Sequence, residues 1–511
     1  MKSIITYFTF LIAVGLFSIT TTLAQTSFNN QTGNNNNSDL TPMEQLGKEL
    51  FFDKIAEPDN MSCADCHAPQ VGFVGPIPGI NKKGSVYPGA VPQRFGNRKP
   101  PSAAYATVSP LFDYDMVEGL FFGGNFWDGR ATGWHLGNPA ADQALGPFLN
   151  PVEQNNTSKL EVLKQVAKSK YAYLWMEVWG EPLMYDTPEL IDLNYDRVGL
   201  AIAEYENSSE VNQFTSKFDY VQMGMAEFTE EEAWGEELFN GTGMCVLCHM
   251  PPFFTDFTFD NLGTPKNPAN PFYDMDEVYL PDGSPINPLG ETWVDPGLGG
   301  FLETLDESFF NDLGLDKNLA VAENWGKHKV PTLRNVDKRP GNGFTKAYMH
   351  NGVFKSLKEV VHFYNTRDVE MWPDPEVPQN VNEDELGNLG LSDEEEDAIV
   401  AFMMTLSDGY ILPKSSIADA GNEEISIKLE LAGSNPFINQ TRLSYTLAAN
   451  SHVSLDIYAL NGEKVSTIFE GNQLEGEYFT TLSGDQLEAG IYIVRLQAGN
   501  QMITKKVTHI K

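Results

Sequence analysis

Cys63-Ala-Asp-Cys66-His67 and Cys245-Val-Leu-Cys248-His249 together hold all four cysteines of a 511-residue chain. Two thiols three positions apart can form thioether bonds to one haem, and the adjacent His is placed to ligate its iron, so C-x-x-C-H reads as c-type haem attachment. A redox dithiol and a zinc site compete for the same cysteines. A redox C-x-x-C does not need His beside it, and here both copies have one. The expectation is two covalently bound haems c, attached through Cys63, Cys66, Cys245 and Cys248. Four cysteines are too few for a disulfide scaffold, so their placement carries the information.

Working outward, each motif follows one copy of a repeat: Glu44-Gln-Leu-Gly-Lys-Glu-Leu-Phe51 matches Glu232-Ala-Trp-Gly-Glu-Glu-Leu-Phe239. Both copies open on a capping box, Thr41 with Glu44 and Thr229 with Glu232, in which side chains satisfy the free backbone donors of a helix start. A duplicated module explains this better than chance. A third box, Ser392 with Glu395, opens 392–406, where Ile399, Phe402, Met403 and Leu406 recur at helical spacing and close the second module. The haem-bearing part is therefore expected to be mainly α, in two domains, 41–215 and 216–412.

After Pro413 the character changes. Leu443-Ser-Tyr-Thr-Leu447 and Val453-Ser-Leu-Asp-Ile457 alternate apolar and polar residues, with turn signals at Asn461-Gly462 and Gly499-Asn500. A linker over 413–426 and a small C-terminal β-sandwich over 427–511 are expected. At the other end, Lys2, an apolar run from Ile4 to Ile19 and Thr22-Leu-Ala24 have the layout of a cleaved signal peptide, 1–24, followed by an Asn-rich flexible spacer, 25–40. Export suits haem c, which is commonly attached outside the cytoplasm. No later segment approaches the ~18 apolar residues of a membrane span, so no stable membrane insertion is expected.

Thirty-four Lys and Arg against 70 Asp and Glu give a net charge of −36, which repels phosphate backbones and argues against nucleic acid as a partner. A local acidic patch could still steer a basic partner protein. Hydrophobic content of 41% suffices for sizeable cores, and 44 Gly with 31 Pro imply many turns.

Haem c alone implies electron transfer, so residues beyond the motifs must carry any catalysis. Leu46-Gly-Lys-Glu-Leu-Phe-Phe-Asp53, Phe126-Trp-Asp-Gly-Arg130, Gln143-Ala-Leu-Gly-Pro147, Asn150-Pro-Val-Glu153, Val330-Pro-Thr-Leu-Arg-Asn-Val336 and Tyr348-Met-His-Asn-Gly352 stand in this order. Their order and wording resemble the bacterial diheme cytochrome c peroxidases and the related MauG-type enzymes, over roughly 41–410. The resemblance implies two cytochrome c-like haem domains, the N-terminal one peroxidatic and the C-terminal one passing electrons. It implies His67 and His249 as proximal iron ligands, Glu153 as the distal carboxylate, Gln143 as the amide beside it, and Trp127 as the indole between the haems. The chemistry agrees, because cleaving an O–O bond needs a group that takes a proton from one oxygen and delivers it to the other. Arg130 is a candidate partner of a haem propionate or of a surface carboxylate.

Three departures from that pattern stand out. Many of these peroxidases carry a capping His about sixteen residues after the first motif; here that place is Lys83, and no His follows His67 until His135. The first iron is therefore expected to be open or water-bound, with His135 the substitute to consider. Fourteen residues after His350, where the peroxidases have a Met ligand, stands Tyr364, as in the MauG-type enzymes. Leu357, Val360 or Val361, and Tyr364 share one helical stripe while His362 points elsewhere. An anionic oxygen ligand would lower the potential relative to Met; His362, Met349 and His350 are the fallback ligands. Lastly, Lys99 occupies the place of an Asn that holds calcium in the family, which argues against calcium and leaves Asn97 or the carbonyl of Thr345 as remaining ligands.

Asn435-Pro-Phe437, Ser451–Tyr458, Leu460–Val465, Ala489-Gly-Ile-Tyr492 and Lys505-Lys506 resemble the sorting domain of the type IX secretion system. That implies export through an outer-membrane secretion system, with the periplasm or the cell surface or extracellular space as the expected location. The expected function is an exported diheme peroxidase reducing hydrogen peroxide to water with electrons from a small donor such as cytochrome c. A MauG-like oxidase of an organic or protein substrate and a non-catalytic diheme electron carrier are the alternatives. A homodimer is left open.

Overall fold

Thr41 starts the first described helix, Pro42–Phe52, with its hydroxyl accepting from the Glu44 amide while the Glu44 carboxylate accepts from the Thr41 amide. The same reciprocal pair caps Glu230–Asn240 through Thr229 and Glu232, and Asp393–Met404 through Ser392 and Glu395. Two further boxes, Ser216 with Asp219 and Ser356 with Glu359, begin Lys217–Gln222 and Leu357–Thr366. This computed structural model describes residues 40–412 and, apart from several turns, 427–509. The signal peptide, nearly all of the spacer, the linker over 413–426 and the turn signals at Asn461-Gly462 and Gly499-Asn500 lie outside the described residues.

Thirteen α-helices occur among the described residues, all before residue 405. In the first module Pro42–Phe52 crosses Pro188–Asn207 at Gly47, where an added Cβ would lie 1.8 Å from the Ala201 carbonyl oxygen and 2.9 Å from Tyr205 Cβ. In the second, Glu230–Asn240 crosses Asp393–Met404 at Gly235, with Ala398 oxygen at 1.9 Å and Phe402 Cβ at 3.0 Å. The repeat in sequence is thus a repeat in packing: glycine stands where two helix backbones touch. Each crossing anchors its own core, with Leu46, Leu50, Phe148, Val198 and Ile202 in the first and Leu238, Phe239, Ile399 and Phe402 in the second.

A third cluster joins the two halves. Phe112, just before the hairpin of Asp113–Asp115 and Leu120–Phe122, and Phe121, within its second strand, pack with Phe259, Leu298, Leu302 and Phe310. A polar tie adds to it, the Tyr105 hydroxyl donating to Asp408 at 2.8 Å; within the second half, one guanidinium nitrogen of buried Arg334 donates to both oxygens of Asp219 at 2.8 and 2.7 Å. Among the described residues no helix is long and apolar enough to cross a membrane.

Beyond residue 427 the chain is β. Ile427–Leu431, Gln440–Leu447 and Gly476–Ser483 form one antiparallel sheet, and Ser451–Ala459, Lys464–Gln473, Gly490–Ala498 and Gln501–His509 form another. Leu443, Tyr445 and Leu447 of one sheet and Val453, Leu455 and Ile457 of the other point into a shared core, as strand alternation dictates. Asp456 breaks the pattern: it is buried, and Ser454, Thr467 and Lys464 satisfy its carboxylate.

Candidate active site

A short 3-10 turn, Cys63–Asp65, presents the first C-x-x-C-H, pinned by the Ser62 amide and hydroxyl, which both donate to Asp65. Cys63, Cys66 and His67 line a cavity of about 140 Å³, and Cys245, Cys248 and His249, on the matching turn Cys245–Leu247, line a second of about 280 Å³. His67 Nδ1 lies 3.1 Å from the Phe73 carbonyl, and His249 Nδ1 lies 2.9 Å from that of Phe254. Such a contact keeps the proton on Nδ1 and leaves Nε2 as a free donor atom. Burial lowers the pKa of both rings, to about 4 for His249, so they are neutral, as an iron ligand must be. Two thiols and one neutral imidazole on the wall of each cavity fit a haem apiece.

The remaining polar lining of the first cavity comes from two segments. Asn138 caps Pro139–Leu149, which carries Gln143 into the cavity, and a tight turn follows in which the Glu153 amide donates to the Asn150 carbonyl at 3.0 Å. That turn sets Glu153 on the same wall. Burial raises the pKa of its carboxyl, opposed by the charge of Arg130 and a hydrogen bond from Asn150. Arg130 stacks on Phe126, 3.8 Å from its ring centre, and pairs with the Asp128 carboxylate.

Trp127 lines both cavities. Its indole N–H donates to the Lys99 carbonyl at 2.8 Å, Lys99 Nζ lies 5.6 Å from its ring centre, and His350 stands edge-on at 6.5 Å. Glu206, on Pro188–Asn207, also borders both cavities, is 4% exposed, and has its pKa pushed up to about 8 by burial alone.

Tyr364 lies on Leu357–Thr366 and lines the second cavity with Cys245, Cys248 and His249; burial and the two neighbouring thiols raise its phenol pKa far above normal. Met349 and His350 border the same cavity. His362 does not: its Nδ1 is 2.9 Å from Glu396 and its Nε2 3.4 Å from Glu370.

Lys83 is exposed, and His67 is the sole histidine lining the first cavity among the described residues. His135 is not brought to it: its Nε2 lies 2.8 Å from Asp196 Oδ1 and 61% of its side chain is exposed. Of the residues considered for calcium, Lys99 is buried, the Thr345 carbonyl accepts from Asn81 at 3.0 Å and the Asn97 carbonyl accepts from Asn270 at 3.0 Å.

Sequence reasoning missed one cluster. Asp295, His328, His350 and Glu376 gather at the larger cavity, with Arg98 forking onto Asp295 at 2.7 and 2.6 Å and reaching Asp128 at 2.5 Å. These residues are far apart in the chain and share no motif, so only the fold assembles them.

A family model described as di-haem cytochrome c peroxidase matches residues 41–227, and one described as secretion system C-terminal sorting domain matches 435–511. The methylamine utilization protein MauG of Paracoccus denitrificans is 33% identical over 387 residues, 71% of this chain and 88% of that protein. Cytochrome-c peroxidase IdrP2 of Denitromonas iodatirespirans is 28% identical over 368 residues, covering 71% and 81%. Among solved structures, the diheme peroxidase BthA of Burkholderia thailandensis superposes with a TM-score of 0.55 at 26% identity, covering 76% of this chain and 94% of that one.

Proposed function

The chain belongs to the di-haem cytochrome c peroxidase and MauG family, and from that membership we propose an exported diheme peroxidase that reduces hydrogen peroxide to two waters with two electrons and two protons. A small donor protein such as cytochrome c supplies the electrons. In this reading 41–215 and 216–412 are cytochrome c-like haem domains, peroxidatic and electron-transferring respectively. Residues 427–511 are a β-sandwich that routes the enzyme through type IX secretion to the cell surface, a role its sorting-domain match supports.

The observation that carries the proposal is Glu153 with Gln143 on the wall of the cavity that holds His67. The haems, held by Cys63, Cys66 and His67 and by Cys245, Cys248 and His249, supply iron-centred redox chemistry when bound. Glu153 takes the proton from one peroxide oxygen and returns it to the other as the O–O bond breaks. Burial raises its pKa, which makes the carboxylate a stronger base for taking that proton. Gln143 orients peroxide by hydrogen bonding, and Arg130 keeps the carboxyl from becoming too weak an acid. Trp127, fixed by its bond to Lys99, bridges the two cavities as the route for electrons.

Tyr364 favours a second reading, a MauG-like oxidase of an organic or protein substrate, since a tyrosine in the second cavity is the feature by which the sequence resembles the MauG-type enzymes. Mixing the enzyme with peroxide and ferrous cytochrome c separates them. Rapid donor oxidation supports the peroxidase, haem oxidation without donor turnover supports the oxidase, and inertness leaves an electron carrier.

A further inference from the structure

The proposed peroxide chemistry makes no use of Asp295, His328, His350 and Glu376. His328 Nε2 is 3.3 Å from Asp295 Oδ2, His350 Nε2 is 3.5 Å from Glu376 Oε2, and the two imidazoles stack with centres 3.7 Å apart and planes at 8°. All four are secluded: Asp295 is 1% exposed, His350 7% and Glu376 8%, and the His328 side chain 11%. Each Nε2 faces a carboxylate oxygen at a distance longer than an ordinary hydrogen bond.

These spacings suit a shared ion. Donor atoms around a tetrahedral ion with bonds of about 2.0–2.1 Å lie about 3.3–3.4 Å from one another. The two nitrogen-to-oxygen distances here, 3.3 and 3.5 Å, match that edge better than they match a hydrogen bond. One ligand atom each from Asp295, His328 and His350 falls within a 4.8 Å group, with Glu376 adjoining. The carboxylates are already aimed: Arg98 and the Gly297 amide hold Asp295, and the Asn351 amide and the backbone of Asp295 hold Glu376. Such outer contacts are what orient metal ligands.

We propose that Asp295, His328, His350 and Glu376 form a binding site for a divalent cation of the zinc class. Two imidazoles with two carboxylates suit that class over calcium or magnesium, which take oxygen alone. Binding tilts the two rings out of their stack so that both Nε2 lone pairs meet the ion.

The test is metal analysis of the holoenzyme, produced without a histidine tag, exposed to Zn²⁺ and dialysed. The expected result is one zinc beside two irons per chain, and X-ray absorption at the zinc edge showing nitrogen and oxygen neighbours at about 2.0 Å without sulfur. His328→Phe and Glu376→Gln should keep both irons and lose zinc at least ~10-fold, Glu376→Gln deciding if His328→Phe fails to hold its haems. A wild-type chain that takes up no zinc, or variants that take up as much, would overturn the site. So would a zinc-free chain in which His328→Phe changes only the haem spectra, because the imidazoles would then serve the haems.

Discussion

Gly47 touches the backbone of Ala201 so closely that no methyl fits between them, and Gly235 repeats the relationship against Ala398. Adding a Cβ at either position forces two helix backbones apart, and overpacking of this kind costs roughly 1–3 kcal/mol. Gly47→Ala and Gly235→Ala should each lower the denaturation midpoint and reduce haem incorporation in their own module. Gly79→Ala, where nothing lies within 4 Å, should change stability by less than about 0.5 kcal/mol. Equal stability of all three variants would refute the packing account.

Glu206 follows Tyr205, the Gly47 neighbour, as Met403 follows Phe402, the Gly235 neighbour, so the first module carries an acid where the second carries a thioether. Its folded pKa of about 8 exceeds the ordinary 4.5, so the native state holds a proton that the unfolded state releases. The associated stability is fully present below about pH 4.5 and is lost as pH rises through about 8. Glu206→Met should flatten that decline and stabilise the chain most at pH 8, as denaturant titrations at pH 5 and 8 would reveal. An unchanged slope would mean that Glu206 ionises inside the fold at ordinary pH.

Removing the proton acceptor from the first cavity tests the catalytic assignment. Glu153→Gln keeps the size and hydrogen bonding of the side chain, and should cut peroxide turnover by ~10²–10⁴-fold. In the wild type, kcat/KM for peroxide should fall as pH drops through the raised Glu153 pKa, because only the carboxylate can take a proton. The variant should lack that acid limb. Near-normal turnover would move the proton to water or another side chain.

The haem motifs, the three capping boxes and the repeat are local patterns, and local patterns survive in a bare sequence. So were the strands of Leu443–Leu447 and Val453–Ile457, whose alternation matches the buried faces observed. The boxes at Ser216 and Ser356 were equally local but lacked a repeat to draw the eye. What sequence could not supply is convergence between distant segments. Nothing near Asp295 announces His328 or His350, and nothing about Glu206 announces that it opens onto both cavities. Lys99 was legible as a departure, but its place above the Trp127 indole depends on the fold.

Tyr364 lines the second cavity, whereas His362 is engaged outside it by Glu396 and Glu370. Tyr364→Phe should therefore alter the ferric spectrum and raise the potential of one haem only, since a phenolate oxygen stabilises the ferric state. His362→Ala should leave both spectra unchanged. The reverse pattern would transfer the ligand role to His362.

The all-ferric enzyme should bind cyanide or peroxide without prior reduction. A protein ligand that blocks the first iron must come from a side chain able to reach it; among the described residues the smaller cavity presents no histidine besides His67, and His328 and His350, on the larger cavity that His67 also borders, face Asp295 and Glu376. Lys83 sits exposed at the position where a capping His is expected. His135 would have to leave Asp196, a pair that is largely solvated and therefore worth no more than about 1 kcal/mol, so its energy is a weak restraint. Distance is the stronger one, because His135 borders neither cavity. Electron paramagnetic resonance of the isolated ferric protein should therefore show one high-spin haem whose signal cyanide converts within mixing time, identically in wild type and His135→Ala. A low-spin first haem that ignores cyanide until one electron is added, and that His135→Ala opens, would show that this loop moves to cap the iron.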